Sequence, residues 1–142
     1  MNNLFFSYHG RINRAKFWKI QVTLIVLLLA EIAAFAISVN DSTSADSAHE
    51  VTGFQMVALI ILGLFALVLL YIGICNTIKR FHDRDKTGWW IVIQFVPVVG
   101  LAWVWFETGF LPGTVGPNSY GNDPLRQDQV SRHQINAYSN AN

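Results

Sequence analysis

His82-Asp83-Arg84-Asp85 is the run in this 142-residue chain that sets conventional catalytic residue types side by side. An imidazole beside carboxylates could act as a general base or a metal ligand, with Asp83 or Asp85 assisting. The spacing argues against both. Adjacent residues on a helix do not face each other, and no second histidine or carboxylate set converges nearby in sequence, so the geometric requirements of a reaction centre are unmet. A structural role is more economical. Arg80 and Arg84 lie one turn apart at the end of an apolar run, where cations suit a helix C-terminus and lipid phosphates. Asp83 and Asp85 are then expected to pair with them, or with Arg11 and Arg14. No catalytic residue, metal or cofactor is assigned, and the single cysteine, Cys75, can form neither an intrachain disulfide nor a cysteine-based metal site.

Glu31 is the other chemically telling residue. It lies well inside an apolar run, where a carboxylate costs roughly 2–4 kcal/mol. It is expected to face another helix, and a depth count along a third, continuous helix sets it level with Gly100 to Trp103. A role in a proton or cation pathway would need acidic companions in the other runs, and three helices enclose a pore only as an oligomer.

Three apolar runs must position these groups. Hydrophobic residues make up 52% of the chain and charged residues 13%, about half the charge of a soluble domain. The first run, about 17–39, follows an expected Asn13 cap with Arg14, Ala15 and Lys16 in the first turn. Its apolar core exceeds the roughly 7–15 residues of a cleaved signal peptide, so it reads as a retained anchor. The second, about 52–78, has no charged residue and exceeds the roughly 20 residues a span needs. The third, about 89–111, has Pro97 near its middle and Gly100 just after. A re-entrant hairpin turning there would have arms of only about ten residues, too short to cross. The expectation is therefore one span kinked at Pro97. The fold class follows as all-α: an integral membrane bundle of three spans in one domain, 1–124. The polar tail, 125–142, is expected to be disordered.

Charge sets the orientation. Arg11, Arg14, Lys16 and Lys19 precede or open the first span, and Lys79, Arg80, Arg84 and Lys86 separate the second from the third. These are eight of the ten basic residues, and a three-span chain puts both groups on one side, the cytoplasmic one. The linker with Asp41, Asp46 and Glu50 then falls outside, as does the C-terminus. Trp18, Trp89 and Trp90 are expected at the cytoplasmic interface, with Trp103 and Trp105 toward the outer half of the third span.

Several blocks resemble a known family. Phe5-Phe6, Gly10-Arg11-Ile12-Asn13-Arg14 and Phe17-Trp18 are similar to the opening of the domain-of-unknown-function 805 family. So are Arg80-Phe81-His82-Asp83, Thr87-Gly88-Trp89-Trp90, Pro97 and Gly100. The last block runs from Gly116 to Pro124 and includes Asn118, Gly121 and Asp123. Phe81 stands where the family commonly has Leu. The resemblance implies a small bacterial inner-membrane protein and no particular activity.

Three function classes remain. A non-enzymatic scaffold, accessory subunit or regulator leads, its partners being anionic lipid headgroups at the cytoplasmic face and a membrane protein or a second copy of the chain. A small oligomeric channel or carrier using Glu31 comes next, then a lipid-headgroup enzyme using His82 and Asp83. Nucleic acid is excluded as a partner, because the chain lacks the broad basic surface it requires.

Overall fold

The computed structural model describes residues 7–43 and 53–141. Phe5, Phe6 and most of the acidic linker after the first run, Asp46 and Glu50 included, lie outside the described residues. Two helices carry most of the apolar sequence: α1, Arg14–Thr43, and α2, Gly53–Asp83, of 30 and 31 residues. Both are long and apolar enough to cross a membrane. Each extends beyond its expected span by about a turn of polar residues. Asn13 caps α1, its Oδ1 accepting from the Lys16 amide at 2.8 Å and its carbonyl from the Phe17 amide at 3.0 Å.

α2 stops where the backbone turns left-handed at Asp85, φ +58°. The Lys86 amide reaches back to Phe81 O and the Asp85 amide to His82 O, both at 3.0 Å, the paired bonds of a Schellman motif. The residue that turns is an aspartate, whose short side chain tolerates this conformation.

The third run departs from expectation. Instead of one kinked helix it forms a 3-10 segment, Gly88–Phe95, a sharp turn, and α3, Val99–Gly109. Lys86 Nζ, just before the run, donates to Glu107 Oε1 near its far end. The run therefore leaves and returns at the same end as a helical hairpin, and among the described residues two helices, where three were expected, are long and apolar enough to cross a membrane. The arms are too short to cross, as the length argument said, but a chain that turns back does not need them to. Pro97 ends the first arm. Val98, at φ +61° and ψ −61°, lets the Val99 amide bond Pro97 O at 2.6 Å, a γ-turn of the rare hand. Gly100 permits the return, because a Cβ there would collide with Ile93 O. The depth count that set Glu31 level with Trp103 assumed a continuous third span and falls with it.

The tail is also different. Residues Pro124–Ala141 form α4, where disorder was expected. Asp123 caps it, Oδ1 accepting from the Leu125 amide at 2.9 Å and the backbone carbonyl from the Gln127 amide at 3.1 Å. Pro124 sits at the first helical position, where its missing N–H is no loss.

The chain divides into two compact units. Met1–Ile20 with Ile74–Asn142 form one, and Gln21–Gly73 the other. The first holds Ile12, Phe17, Ile20, Cys75, Phe81 and Val104 as its buried apolar core; in the second, Leu69 is the buried large apolar residue among those described.

Candidate functional site

The first unit is organised around one carboxylate. Asp83, in the last turn of α2, receives Arg11 Nε on Oδ1 at 3.1 Å and Arg80 Nη1 on Oδ2. The Arg80 and Arg11 side chains are 0% and 1% exposed, and that of Asp83 is 5% exposed. Two cations on one buried anion would be unfavourable unless further acceptors met the remaining N–H groups. They do. Arg11 Nη1 donates to Gly116 O at 2.6 Å and Gly121 O at 3.3 Å, and Nη2 donates to Thr114 O.

Arg80 supplies the second half of the arrangement. A helix leaves its last carbonyls without intrahelical donors, and α3 ends inside the unit. Five consecutive carbonyls there each find a side chain. Glu107 O accepts from Arg84 Nη1 at 3.0 Å, Thr108 O from Arg80 Nε at 2.7 Å, and Gly109 O from the Trp18 indole at 3.0 Å. Phe110 O accepts from Arg14 Nη1 at 3.1 Å, and Leu111 O from Arg80 Nη2. Three guanidinium groups at the negative end of a helix dipole also suit the local field. We call this arrangement the clasp. It joins the start of α1, the end of α2 and the end of α3.

The loop from Gly113 to Asp123 closes over it. The Thr114 amide and hydroxyl both donate to Asp83 O, at 2.8 and 3.1 Å. Asn118 Nδ2 donates to His82 O at 2.8 Å and to Thr114 Oγ1 at 2.9 Å. Asn118 and Gly121 exchange both backbone bonds around Ser119 and Tyr120. A Cβ at Gly113 would strike the Asp83 carboxylate, so the loop reaches the clasp only with glycine there. Asp123 Oδ2 accepts from the Gly116 amide at 3.1 Å. That amide, then the Leu125 amide, then the Arg11 charge hold its carboxyl below the usual range.

Outside the clasp, Glu107 meets Lys86, and Arg84 Nε lies 3.1 Å from its Oε1 without hydrogen-bond alignment. Lys86 Nζ also sits 4.7 Å over the Trp90 ring. Lys16 pairs with Asp128 on α4 at 2.6 Å, and Asn13 Nδ2 bonds the same carboxylate at 3.0 Å. The tail thus lies with the N-terminal segment, where the expected topology set it on the opposite side. Trp105 likewise packs edge-on against Trp18, ring centres 5.8 Å apart, at the end where the hairpin returns.

His82 does not face Asp83 or Asp85 in any catalytic arrangement. Its ring stacks on Tyr120 at 3.9 Å with the planes 4° apart, and its Nδ1 is buried without a hydrogen-bond partner among the described residues. Asp85 instead accepts from the Ser119 amide at 3.1 Å. Trp89 is 81% exposed. Glu31 belongs to the other unit, and its Oε2 is buried without a partner among the described residues. No cluster of three or more metal-ligating side chains occurs among the described residues. Of the residues singled out in the sequence, Arg11, Arg14, Arg80, Asp83, Arg84, Asn118 and Gly121 meet at the clasp and its cover. Glu31, Trp89 and Pro97 do not. Sequence reasoning missed Thr108, Gly113 and Thr114. Only Gly113, in a Pro-Gly-Thr turn, carried a local signal.

Comparison with known proteins bears on the same residues. No solved structure matches the chain. Inner membrane protein YhaI of Escherichia coli K12 is 31% identical over 119 residues, covering 83% of this chain and 86% of the relative. Uncharacterized protein YiiR of the same organism is 26% identical over 143 aligned positions, covering 83% and 86%. The model of the family described as Protein of unknown function (DUF805) matches residues 5–122, a range that takes in the clasp from Arg11 to Gly121. By that match this inner-membrane protein belongs to the DUF805 family.

Proposed function

We propose that the protein is a non-enzymatic scaffold or accessory subunit of the inner membrane. In this reading the clasp is a fixed platform on the cytoplasmic side, carried by two spans and a hairpin that enters the same leaflet and returns. One observation carries it. The polar side chains of the family's motifs are engaged in holding helix ends together, with Arg80 fully buried and bonded through three of its nitrogens. A group so held is poorly placed to bind and release a substrate. The cytoplasmic assignment follows from positive charge, since Arg14, Lys16 and Lys19 are exposed at the start of α1, where anionic headgroups are their natural partners.

The test has two arms. In a Cys75→Ala background, single cysteines replacing Tyr8 and Ser131 should both react with an impermeant maleimide only after the inner membrane is opened. Labelling of Ser131→Cys from the periplasm would overturn the platform. In a deletion strain, the headgroup composition of the lipids should be unchanged. An alteration reversed by the wild-type chain but not by His82→Ala would replace the scaffold with an enzyme.

A further inference from the structure

The first unit has an opening that the clasp leaves unfilled. A cavity of about 380 Å³ lies between the start of α1, the covering loop and the start of α4. That volume falls in the range of small-molecule sites, roughly 300–1,000 Å³. Among the described residues, the charged side chains of its wall are Arg14, Arg80, Asp83 and Asp123. Arg80 and Asp83 are paired with each other. Arg14 and Asp123 are not. Arg14 forms no ion pair among the described residues, its bond running from Nη1 to the Phe110 carbonyl. Asp123 accepts from the amides of Gly116 and Leu125, and Arg11 acts on it only through space. The wall thus offers one unpaired cation and one unpaired anion.

The chemistry of an occupant follows by elimination. A plain anion would meet Asp123 and a plain cation Arg14. An uncharged molecule would strip water from both without compensation. A zwitterion answers each charge with its opposite. Position narrows the choice. From Arg14 onward α1 is long and apolar enough to cross a membrane, which sets the cavity among lipid headgroups, where phosphate is the abundant anion. A guanidinium grips phosphate through parallel N–H bonds. Val115 and Leu125, in the same wall, are 96% and 60% exposed, apolar surface that the glycerol end of a lipid would cover. The Asp123 carboxylate keeps lone pairs for further N–H donors, so it favours a primary ammonium over a quaternary one. We infer that this cavity binds a phosphoethanolamine group, with Arg14 holding the phosphate and Asp123 the ammonium. The inference rests on the headgroup setting of Arg14 proposed above, and it names the headgroup.

Two sources carry that group, phosphatidylethanolamine and free phosphoethanolamine. The full chain in detergent micelles would be titrated with dioleoylphosphatidylethanolamine, dioleoylphosphatidylglycerol and phosphoethanolamine, with bound species counted by native mass spectrometry. The ethanolamine lipid should bind saturably and about tenfold tighter than the glycerol lipid, tenfold being the worth of one hydrogen bond to a charged group. The exposed basic residues beside Arg14 would by themselves give the opposite order, because they favour the anionic lipid. Competition by phosphoethanolamine at the lipid's own concentration would point to the soluble source, and its failure to compete to the lipid. Asp123→Asn keeps a good cap on α4 and should erase the preference between the lipids; Arg14→Gln should weaken both about tenfold. Equal affinity for the two lipids, binding of neither ethanolamine compound, or a preference that survives Asp123→Asn overturns the proposal. The wild-type comparison decides even if Arg14→Gln fails to fold. Micelles have no sides, so a negative result here leaves the platform standing, and periplasmic labelling of Ser131→Cys would leave this site standing.

Discussion

The two units of this protein are stabilised by different means. In Gln21–Gly73 the large apolar side chains of the described residues are mostly exposed, Leu29, Ile37 and Leu64 among them. For such helices the lipid is the solvent, and backbone hydrogen bonds close within each helix. The other unit depends on specific bonds. It buries Arg80, Asp83, Lys79, Asn76, Glu107 and Thr108, and its ion pairs and carbonyl caps link residues as much as 112 positions apart in sequence. Removing a charged group should therefore be tolerated in one unit and ruinous in the other.

The sharpest contrast comes from two carboxylates. Asp83→Asn leaves two buried guanidinium groups with no anion and should cost about 3–5 kcal/mol, read as a large drop in thermal midpoint in detergent or as loss of the protein from the membrane. Glu31→Gln should not destabilise, since it removes an acid whose Oε2 has no bond to lose among the described residues, in a run where a carboxylate is costly. Equal effects from the two would erase the distinction between the units.

Between these extremes lie two tests of how the first unit is closed. Gly100→Leu should destabilise by at least about 2 kcal/mol, because its Cβ meets Ile93 O and the return arm must move away. A thermal midpoint unchanged by that substitution would contradict the hairpin. Asp123→Ala removes the α4 cap and should cost about 1 kcal/mol. Its pH dependence has a fixed sign. A carboxyl held below its ordinary value stabilises the fold while ionised, so the contribution is present above about pH 4 and lost as pH falls through the lowered value. The wild type and Asp123→Ala should therefore converge in stability below that range, as measured by unfolding between pH 2 and 6.

The two long helices were legible because a predominantly apolar run of more than 20 residues has few alternatives. The basic groups were legible as neighbours on one side for the same reason. The third run was not. Hydropathy has no sense of direction, and 23 apolar residues that cross once look the same as 23 that go in and come back. The signals for return were present in Pro97, Gly100 and the Lys86 and Glu107 pair, but the deciding requirement lay elsewhere. The carbonyls from Glu107 to Leu111 need donors, and among the described residues Trp18, Arg14, Arg80 and Arg84 supply them. That requirement is visible only once three distant segments meet. The tail was misread through its polarity, although Asp123-Pro124 is a helix-start signature. His82 drew notice for its neighbours in sequence, whereas its ring stacks on Tyr120, 38 positions away.

Arg11 has a consequence for how the protein is made. Its acceptors at Thr114, Gly116 and Gly121 lie 103 to 110 residues later in the chain. While the ribosome is still producing those residues, the guanidinium that will be buried must stay in water or among headgroups, although α1 already has the length to insert. Completion of the clasp is thus a late event that needs nearly the whole chain. A polypeptide truncated before Thr114 would carry its membrane segments yet leave Arg11 with Asp83 alone of these partners, a mark by which a protease could tell unfinished copies from finished ones.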